Sequence, residues 1–257
     1  MIIYFSATGN CKYTSERIAA ENERQLSIPE LMKENPEETI EIDISDEDKL
    51  GIISPVYDWG LPSIVNEFLG RVHFNFNEKP YTYLVITYGT TTGKCGYYVN
   101  EHMKKQGLEL DGRFSVKFPD TWTVTFDLSN KDYVAEINRN VEGQLDKVRK
   151  QILNNVQGDF MDMKLPKLLS DIAQSRYNRE IRKTSHLHVE DSCIGCGLCE
   201  KKCPVGAIQI KDKKPVWVKE KCTMCLGCLH RCPKFAIQYE NKTRNHGQYV
   251  NPHVWGC

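Results

Sequence analysis

Eight cysteines within forty residues constrain this chain more than any other feature. They form two runs of four with the spacing C-x2-C-x2-C-x3-C, and a proline follows each run. Residues 193–210 align with residues 222–239, and eight of the eighteen aligned positions are identical. Such an internal repeat predicts a domain of two similar halves that present the same chemistry. The eight residues are Cys193, Cys196, Cys199, Cys203, Cys222, Cys225, Cys228 and Cys232.

The spacing within each run indicates a cluster rather than a single metal ion. Three cysteines within seven residues can reach three corners of one four-iron, four-sulfur cubane, whereas the fourth lies beyond a turn. A pair of zinc sites is the alternative, but four-cysteine zinc sites usually join two separated C-x2-C hooks. Residues 1–5 do not resemble a signal peptide, so we expect a cytoplasmic protein whose eleven cysteines are reduced.

Over about residues 186–240, the sequence resembles bacterial two-cluster ferredoxins. The resemblance implies crossed ligation, in which the last cysteine of each run binds the cluster of the other run. One 4Fe-4S cluster would then be held by Cys193, Cys196, Cys199 and Cys232, and the other by Cys222, Cys225, Cys228 and Cys203. With both ligand sets complete, we expect His230 to lie in a solvated loop.

The first 125 residues alternate between strand-like and helix-like segments. The predicted buried strands are Met1–Phe5, Leu50–Ser54, Tyr83–Tyr88 and Leu110–Phe118, and the predicted helices are Lys12–Arg24, Pro62–Arg71 and Tyr97–Gln106. One more strand is expected between residues 25 and 45, where residues 26–28 and 39–44 are both candidates. This alternation predicts an α/β doubly wound parallel sheet with helices on both faces, followed by a small α+β domain around the cysteines.

Two helical patterns connect these halves. Residues 131–156 carry apolar side chains at helical spacing and predict one long helix. Residues 165–181 are also amphipathic, either as a bridge between the domains or as a solvated linker helix. We therefore expect a first domain over residues 1–157, a helical linker over 158–185, the cysteine-rich domain over 186–240 and a tail over 241–257.

Three loops are predicted to meet at the carboxyl edge of the sheet, where doubly wound proteins bind ligands. The loop after the first strand holds Ser6 and Thr8, whose hydroxyls could join backbone N–H groups around a phosphate. Taken alone, this loop could equally be a glycine turn in which Asn10 caps a helix. The other two loops carry Tyr57 with Trp59 and Tyr88, which could enclose a flat ring but could singly be ordinary surface or core aromatics.

The N-terminal stretch resembles flavodoxin, which binds FMN through a phosphate loop and two aromatic loops. The resemblance implies that FMN contacts Ser6, Thr8, Gly9, Asn10, Cys11, Val56, Tyr57, Trp59, Tyr88 and Gly89. Cys11 departs from the family pattern, which has a hydroxyl residue there, and its weakly donating thiol is expected to weaken one phosphate contact. Together, residues 1–120 and 186–240 resemble flavodoxin–ferredoxin fusion proteins of anaerobic bacteria and archaea.

Several other functions are not expected. Residues 160–257 carry 17 basic and 9 acidic side chains, but two clusters of about −2 each would cancel about half of that excess, so we expect no nucleic acid. No G-x-G-x-x-G sequence supports a nicotinamide site. Residues 89–95 resemble an ATP-binding loop but have the wrong glycine spacing and a cysteine at the magnesium position. No apolar run approaches the roughly 18 residues that span a bilayer.

These features predict an electron carrier that relays electrons between two 4Fe-4S clusters and FMN and links redox partner proteins. An alternative is a flavin-dependent reductase of a small organic substrate that the clusters feed, with Tyr57, Tyr88 or Cys95 facing the substrate. A third is a redox-sensing module that uses Cys257 and the polar tail, although a tail that docks on the ferredoxin surface is the simpler interpretation.

Overall fold

The computed structural model describes residues 1–36 and 39–254 of the 257-residue chain. Within these two ranges, no helix combines the length and the apolar character that crossing a membrane requires.

The N-terminal half is built on a six-stranded parallel sheet. Its strands are β1 (Ile2–Tyr4), β2 (Gln25–Ser27), β4 (Lys49–Pro55), β6 (Tyr81–Tyr88), β7 (Gly112–Lys117) and β8 (Gly158–Asp159). They lie in the order β2-β1-β4-β6-β7-β8, so the direction of winding reverses between β1 and β4. This is the doubly wound order that the sequence predicts, and the reversal creates a crevice at the carboxyl ends of β1 and β4.

Both candidates for the additional strand are strands. Residues 25–27 pair with β1 inside the main sheet. Residues 40–43 form β3, which pairs with β5 (Val72–Asn75) in a separate parallel ladder. In β3 the buried Ile40 and Ile42 alternate with exposed acidic residues, as expected for a strand with one covered face.

Apolar side chains cover both faces of the main sheet. Neighbouring residues of one strand, such as Ile52 and Ile53 in β4, belong to two different buried clusters because successive side chains point to opposite faces. The helices around the sheet are α1 (Asn10–Ile18), α2 (Ile28–Glu34), α3 (Ser63–Arg71), α4 (Cys95–Lys104), α5 (Lys131–Arg139) and α6 (Val141–Leu153).

The prediction of one helix over residues 131–156 is wrong, because the helix is interrupted at Asn140. The backbone N–H of Asn140 donates to Ile137 O at 3.1 Å, which closes a tighter turn, and its side chain donates to Glu136 O at 3.3 Å. Asparagine side chains compete in this way with the regular helical hydrogen bonds. The first helix is also capped locally, since Asn130 accepts a hydrogen bond from the backbone N–H of Tyr133.

The linker contains α7 (Lys167–Arg176), followed by a π-helical turn over Tyr177–Ile181. Gln174 Nε2 donates to Tyr57 O at 2.6 Å, and the Tyr177 hydroxyl donates to Thr223 O at 2.7 Å. The segment therefore contacts both halves of the chain, as the bridging alternative predicts.

The C-terminal half is small and contains two antiparallel pairs of strands. In one pair, β9 (Leu187–Val189) lies beside β12 (Ile237–Tyr239), and in the other β10 (Ile208–Lys211) lies beside β11 (Lys214–Trp217). Two short helices occupy equivalent places in the sequence repeat, α8 (Leu198–Lys201) and α9 (Gly227–His230). The repeat therefore corresponds to two similar loop–helix units, and the small α+β domain has the predicted class.

Candidate cofactor sites

A cavity of about 340 Å³ lies at the carboxyl edge of the main sheet. Its size falls in the range of roughly 300–1,000 Å³ that is usual for small-molecule and cofactor sites. The three predicted loops, after β1, β4 and β6, all reach it. Nine of the ten residues predicted to contact FMN line this cavity: Ser6, Thr8, Asn10, Cys11, Val56, Tyr57, Trp59, Tyr88 and Gly89.

The loop between β1 and α1 has the features of a phosphate site. Gly9 precedes the helix with φ of 99°, and no side chain of the described residues caps the helix N-terminus with a hydrogen bond. The Ser6 hydroxyl is buried and has no hydrogen-bond partner in the part of the chain that the structure describes, which is costly unless a ligand supplies one. A helix N-terminus attracts anions through its free N–H groups and its dipole, so these groups fit a phosphate.

Gly9, the tenth predicted residue, belongs to the same loop but does not line the cavity. A side chain at this position would place its Cβ 2.9 Å from Asn251 Cβ, and the positive φ also favours glycine. In this structure Gly9 shapes the loop and lets the C-terminal segment approach it.

Cys11 makes its side-chain contact within the protein. Its sulfur shares a hydrogen bond of 3.1 Å with Thr87 Oγ1. Burial raises the pKa of the Cys11 thiol to about 12, so the group is neutral at physiological pH. Cys11 thus links the phosphate loop to the end of β6, and its expected weakening of a phosphate contact stays a prediction.

Aromatic rings form part of the cavity wall. Tyr57 lies between Phe5 and Tyr177 in edge-to-face contacts, with ring centroids 6.2 and 6.5 Å away. Trp59 is 40% exposed and lies at the rim with a φ of 66°. The turn that carries both residues is closed by reciprocal backbone hydrogen bonds between Tyr57 and Gly60. The wall is therefore rigid behind Tyr57 and open beside Trp59.

A fourth loop, which the sequence analysis missed, also lines the cavity. It follows β7 and contributes Asp120, Thr121 and Trp122. The sequence does contain a signal for this loop. In a parallel sheet, the loop that follows the strand predicted at Leu110–Phe118 lies at the same edge as the other three loops. Arg176 and Tyr177 of the linker also line the cavity, and no local sequence signal points to them.

Two carboxyl groups face this cavity, Asp58 and Asp120. Burial raises the pKa of each above the usual aspartate range. Asp120 accepts hydrogen bonds from Trp122 N at 3.0 Å and Thr90 Oγ1 at 3.4 Å, whereas Asp58 Oδ2 is buried and has no partner among the residues that the structure describes. The cavity thus contains groups that can hold a proton as well as groups that fit a phosphate.

The eight cysteines line two further cavities in the C-terminal half. One is surrounded by Cys193, Cys196, Cys199 and Cys232, and the other by Cys203, Cys222, Cys225 and Cys228. Each cavity therefore combines three cysteines of one run with the last cysteine of the other, which is the arrangement that crossed ligation requires.

Among residues 1–36 and 39–254, no three or more His, Cys, Asp or Glu side chains are grouped to hold a single metal ion.

Backbone N–H groups point at several of the sulfur atoms. Ala207 N donates to Cys203 Sγ and Ala236 N donates to Cys232 Sγ, each at 3.2 Å and at repeat-equivalent positions. Met224 N donates to Cys222 Sγ, also at 3.2 Å. Hydrogen bonds of this kind tune the potential of an iron–sulfur cluster.

Cys225 lines both the cavity at the sheet edge and one of the two cysteine cavities. It forms part of the wall at the sheet edge together with Met224 and Leu226. Met224 and Leu226 both have positive φ, so the loop presents the sulfur at a tight bend. Sequence spacing gave no indication of this contact between the halves.

The expectation of a solvated His230 is wrong. The residue is buried, because α9 packs against the loop after β7 and against the C-terminal segment. Its Nδ1 accepts from Tyr249 N at 3.2 Å, so Nε2 carries the proton and donates to Thr121 O at 2.8 Å. Burial lowers the pKa of His230 to about 4, which keeps the ring neutral.

The remaining predicted residues have simpler outcomes. Cys95 is fully buried in the main hydrophobic core and lies outside the set of residues that line the cavity, which removes it as a candidate for facing a substrate. The C-terminal tail contacts the phosphate loop as well as the ferredoxin half, since Asn251 N donates to Thr8 O at 2.8 Å. Cys257 and Trp255 lie outside the described residues.

Comparison with known families assigns both halves. A family model for the flavodoxin domain matches residues 1–147, and a model for a 4Fe-4S dicluster domain matches residues 192–237. No curated protein matches the chain.

Several solved structures are distantly similar. A flavoprotein in complex with FMN from Lactobacillus acidophilus NCFM is 18% identical, with 44% of this chain and 90% of that chain covered and a TM-score of 0.31. A flavodoxin from the domain Archaea is 14% identical, with coverages of 58% and 97% and a TM-score of 0.30. A flavone reductase is 11% identical, with coverages of 85% and 81% and a TM-score of 0.34. At these TM-scores the similarities support no statement about function.

Proposed function

We propose that this chain, which belongs to the flavodoxin family and carries a 4Fe-4S dicluster domain, relays electrons between two 4Fe-4S clusters and a bound FMN. The two domains make the chain an electron-transfer flavoprotein, and the relay links two redox partners. The observation that supports this most is the position of Cys225, which lines both the cavity at the sheet edge and one of the two cysteine cavities. When bound, FMN exchanges one or two electrons and each cluster exchanges one.

Different residues around the cavity would contact the phosphate and the ring system of FMN. Ser6, Thr8 and the start of α1 would hold the phosphate, since within residues 1–36 and 39–254 the Ser6 hydroxyl has no partner and no side chain caps the helix N-terminus. Tyr57 and Tyr88 enclose the ring system, with Trp59 at the open rim. Burial raises the pKa of Tyr57 well above its ordinary value, so its phenol stays neutral beside the cofactor.

The eight cysteines hold two clusters with crossed ligation. The cluster on Cys222, Cys225, Cys228 and Cys203 is adjacent to the cavity at the sheet edge. The other cluster is more accessible, because its ligand Cys196 is exposed and the neighbouring Ile194 is also exposed. Cys196 and Ile194 would therefore leave one cluster accessible to an external partner, and Cys225 would place the other cluster beside FMN.

A second candidate is reduction of a small organic substrate in the same cavity. Asp58 and Asp120 favour it, because both line the cavity and burial raises the pKa of both carboxyls. A reductase that adds electrons to an organic molecule also needs a source of protons, and such carboxyls suit that role.

Anaerobic purification of the full chain tests the relay. The proposal expects about eight irons and one FMN per chain. It also expects that a Cys225→Ser variant slows electron transfer from the clusters to FMN more than a Cys196→Ser variant does, after rapid reduction by a chemical donor. Iron and sulfide without flavin, or equal rates in the two variants, would contradict the relay.

A screen of acceptors separates the two candidates. Chemically reduced protein is mixed anaerobically with a panel of one-electron acceptors and small organic oxidants. Transfer to many one-electron acceptors favours the carrier. Turnover of one organic compound that fails in an Asp58→Asn or Asp120→Asn variant favours the reductase.

A further inference from the structure

We propose that the C-terminal segment 248–254 is part of the FMN site, where Tyr249 and Asn251 position the phosphate loop and make flavin affinity depend on the ferredoxin half. The proposal rests on the assignment of FMN to the cavity at the sheet edge. It gives a binding role to a segment outside both regions that the family models match.

Segment 248–254 makes side-chain hydrogen bonds to Asn10, at the junction of the phosphate loop and α1. Asn10 Oδ1 accepts two hydrogen bonds, from the Tyr249 hydroxyl at 3.0 Å and from Asn251 Nδ2 at 3.0 Å. All three residues are buried, and Asn10 lines the cavity. The first residue of α1 is therefore oriented by two side chains that lie about 240 positions away in sequence.

The backbone of the loop is held as well. Asn251 N donates to Thr8 O at 2.8 Å, which fixes the peptide between two of the predicted phosphate-binding residues. Gly9 packs so closely on Asn251 that a Cβ at Gly9 would lie 2.9 Å from Asn251 Cβ. Since no side chain in the described part of the chain caps α1 with a hydrogen bond, these contacts supply order that such a cap would otherwise give the loop.

The other end of the segment is anchored beside the clusters. Gln248 Nε2 donates to Leu229 O at 2.6 Å and to Cys232 O at 2.9 Å, and Tyr249 N donates to His230 Nδ1. Cys232 is the crossed ligand of the exposed cluster. Segment 248–254 thus spans from a cluster-binding helix to the phosphate loop.

Arg231 adds a second link on the same loop, since its Nε donates to Ala7 O at 3.0 Å. The loop that would receive the phosphate is therefore held by α9 and by segment 248–254, and both belong to the C-terminal half. A loop held in its bound conformation loses less conformational entropy on binding, so these contacts raise affinity without touching the ligand.

Two conservative variants test the proposal in the full-length holoprotein. Tyr249→Phe removes only the hydroxyl, and Asn251→Ala removes the amide that donates to Asn10 but keeps the Cβ that packs on Gly9. We expect the dissociation constant of FMN to rise about three- to tenfold in each variant, because each loses one buried hydrogen bond to the loop. Iron content is expected to stay at the wild-type value. Matched controls are Tyr133→Phe and Asn154→Ala, which alter exposed positions on α5 and after α6.

Hydrogen exchange of the flavin-free protein gives a readout that does not depend on FMN. Backbone amides of residues 8–12 are expected to exchange faster in Tyr249→Phe and Asn251→Ala than in the wild type and the controls. Unchanged flavin affinity in both variants would overturn the proposal, and so would a parallel loss of iron, which would mark a general structural role. A wild-type protein that binds no FMN would instead overturn the proposed function, while the exchange rates would still show whether the segment holds the loop.

Discussion

The hydroxyl of Tyr177 lies 2.7 Å from the carbonyl oxygen of Thr223, and the same hydroxyl accepts a hydrogen bond from Ser63 N at 3.2 Å. One side chain from the linker thus joins the start of α3 in the flavodoxin half to the residue that follows Cys222, a proposed cluster ligand. Tyr177 also lines the cavity at the sheet edge, so its position affects the boundary between the proposed flavin and cluster sites.

Replacing Tyr177 with phenylalanine is expected to destabilise this boundary. The variant leaves Ser63 N and Thr223 O without their shared partner, and an unsatisfied buried group costs about 1–3 kcal/mol. We expect a lower midpoint of chemical unfolding under anaerobic conditions and faster loss of iron to a chelator. A Tyr97→Phe variant, at an exposed position on α4, is the control. Iron release at the wild-type rate would contradict the expectation.

Replacing Ser6 with alanine separates ligand binding from stability. The Ser6 hydroxyl has no hydrogen-bond partner among residues 1–36 and 39–254, so its removal is not expected to destabilise the flavin-free chain. If the hydroxyl donates to the FMN phosphate, the variant should lose about 1–3 kcal/mol of binding free energy. Fluorescence titration with FMN measures the affinity, and thermal unfolding of the flavin-free protein measures the stability. An unchanged affinity would remove Ser6 from the site.

Crossed ligation predicts which pairs of cysteine variants behave alike. Cys203→Ser and Cys222→Ser should disturb the same cluster although they lie in different runs, because both line one cavity. Cys232→Ser should instead resemble Cys196→Ser. Electron paramagnetic resonance of the reduced variants compares the two pairs, with Cys95→Ala as a variant that alters no predicted ligand. Spectra that group by run rather than by cavity would contradict crossed ligation.

Asp120 predicts a specific dependence of stability on pH. Burial raises the pKa of its carboxyl in the folded protein, so the folded state holds the proton more tightly than the unfolded state. The stability that this group contributes is therefore present below the pKa of an unfolded aspartate, about 3.9, and is lost as the pH rises through the higher folded pKa.

An Asp120→Asn variant tests this sign, because asparagine keeps an oxygen that can accept from Trp122 N but cannot ionise. We expect the variant to gain stability relative to the wild type as the pH is raised from about 4, the unfolded pKa of aspartate, through the raised folded pKa. Chemical unfolding of the flavin-free protein at several pH values measures the difference. An exposed aspartate, such as Asp191, provides the control substitution. A difference that shrinks as the pH rises would contradict the assignment.

Local patterns in the sequence were sufficient for the fold class and for the 4Fe-4S dicluster domain. A continuous apolar run predicts a buried strand such as β6. Cysteines three residues apart can bind one metal cluster together. Both candidates between residues 25 and 45 proved to be strands because each has its own local pattern, and only pairing decides which sheet each one joins. The break at Asn140 was missed because apolar spacing continues through it, while one side-chain hydrogen bond ends the helix.

Tertiary structure alone decided how the two halves meet. The sequence places His230 between two predicted cluster ligands and suggests solvent around it, yet packing against Thr121 and Tyr249 buries it and fixes its tautomer. It likewise gives no sign that Cys225 borders the cavity at the sheet edge or that Asn251 holds Thr8. The physical reason is that strand periodicity and ligand spacing are set by bonds between near neighbours. Contacts between residues more than a hundred positions apart depend instead on how completed surfaces fit together.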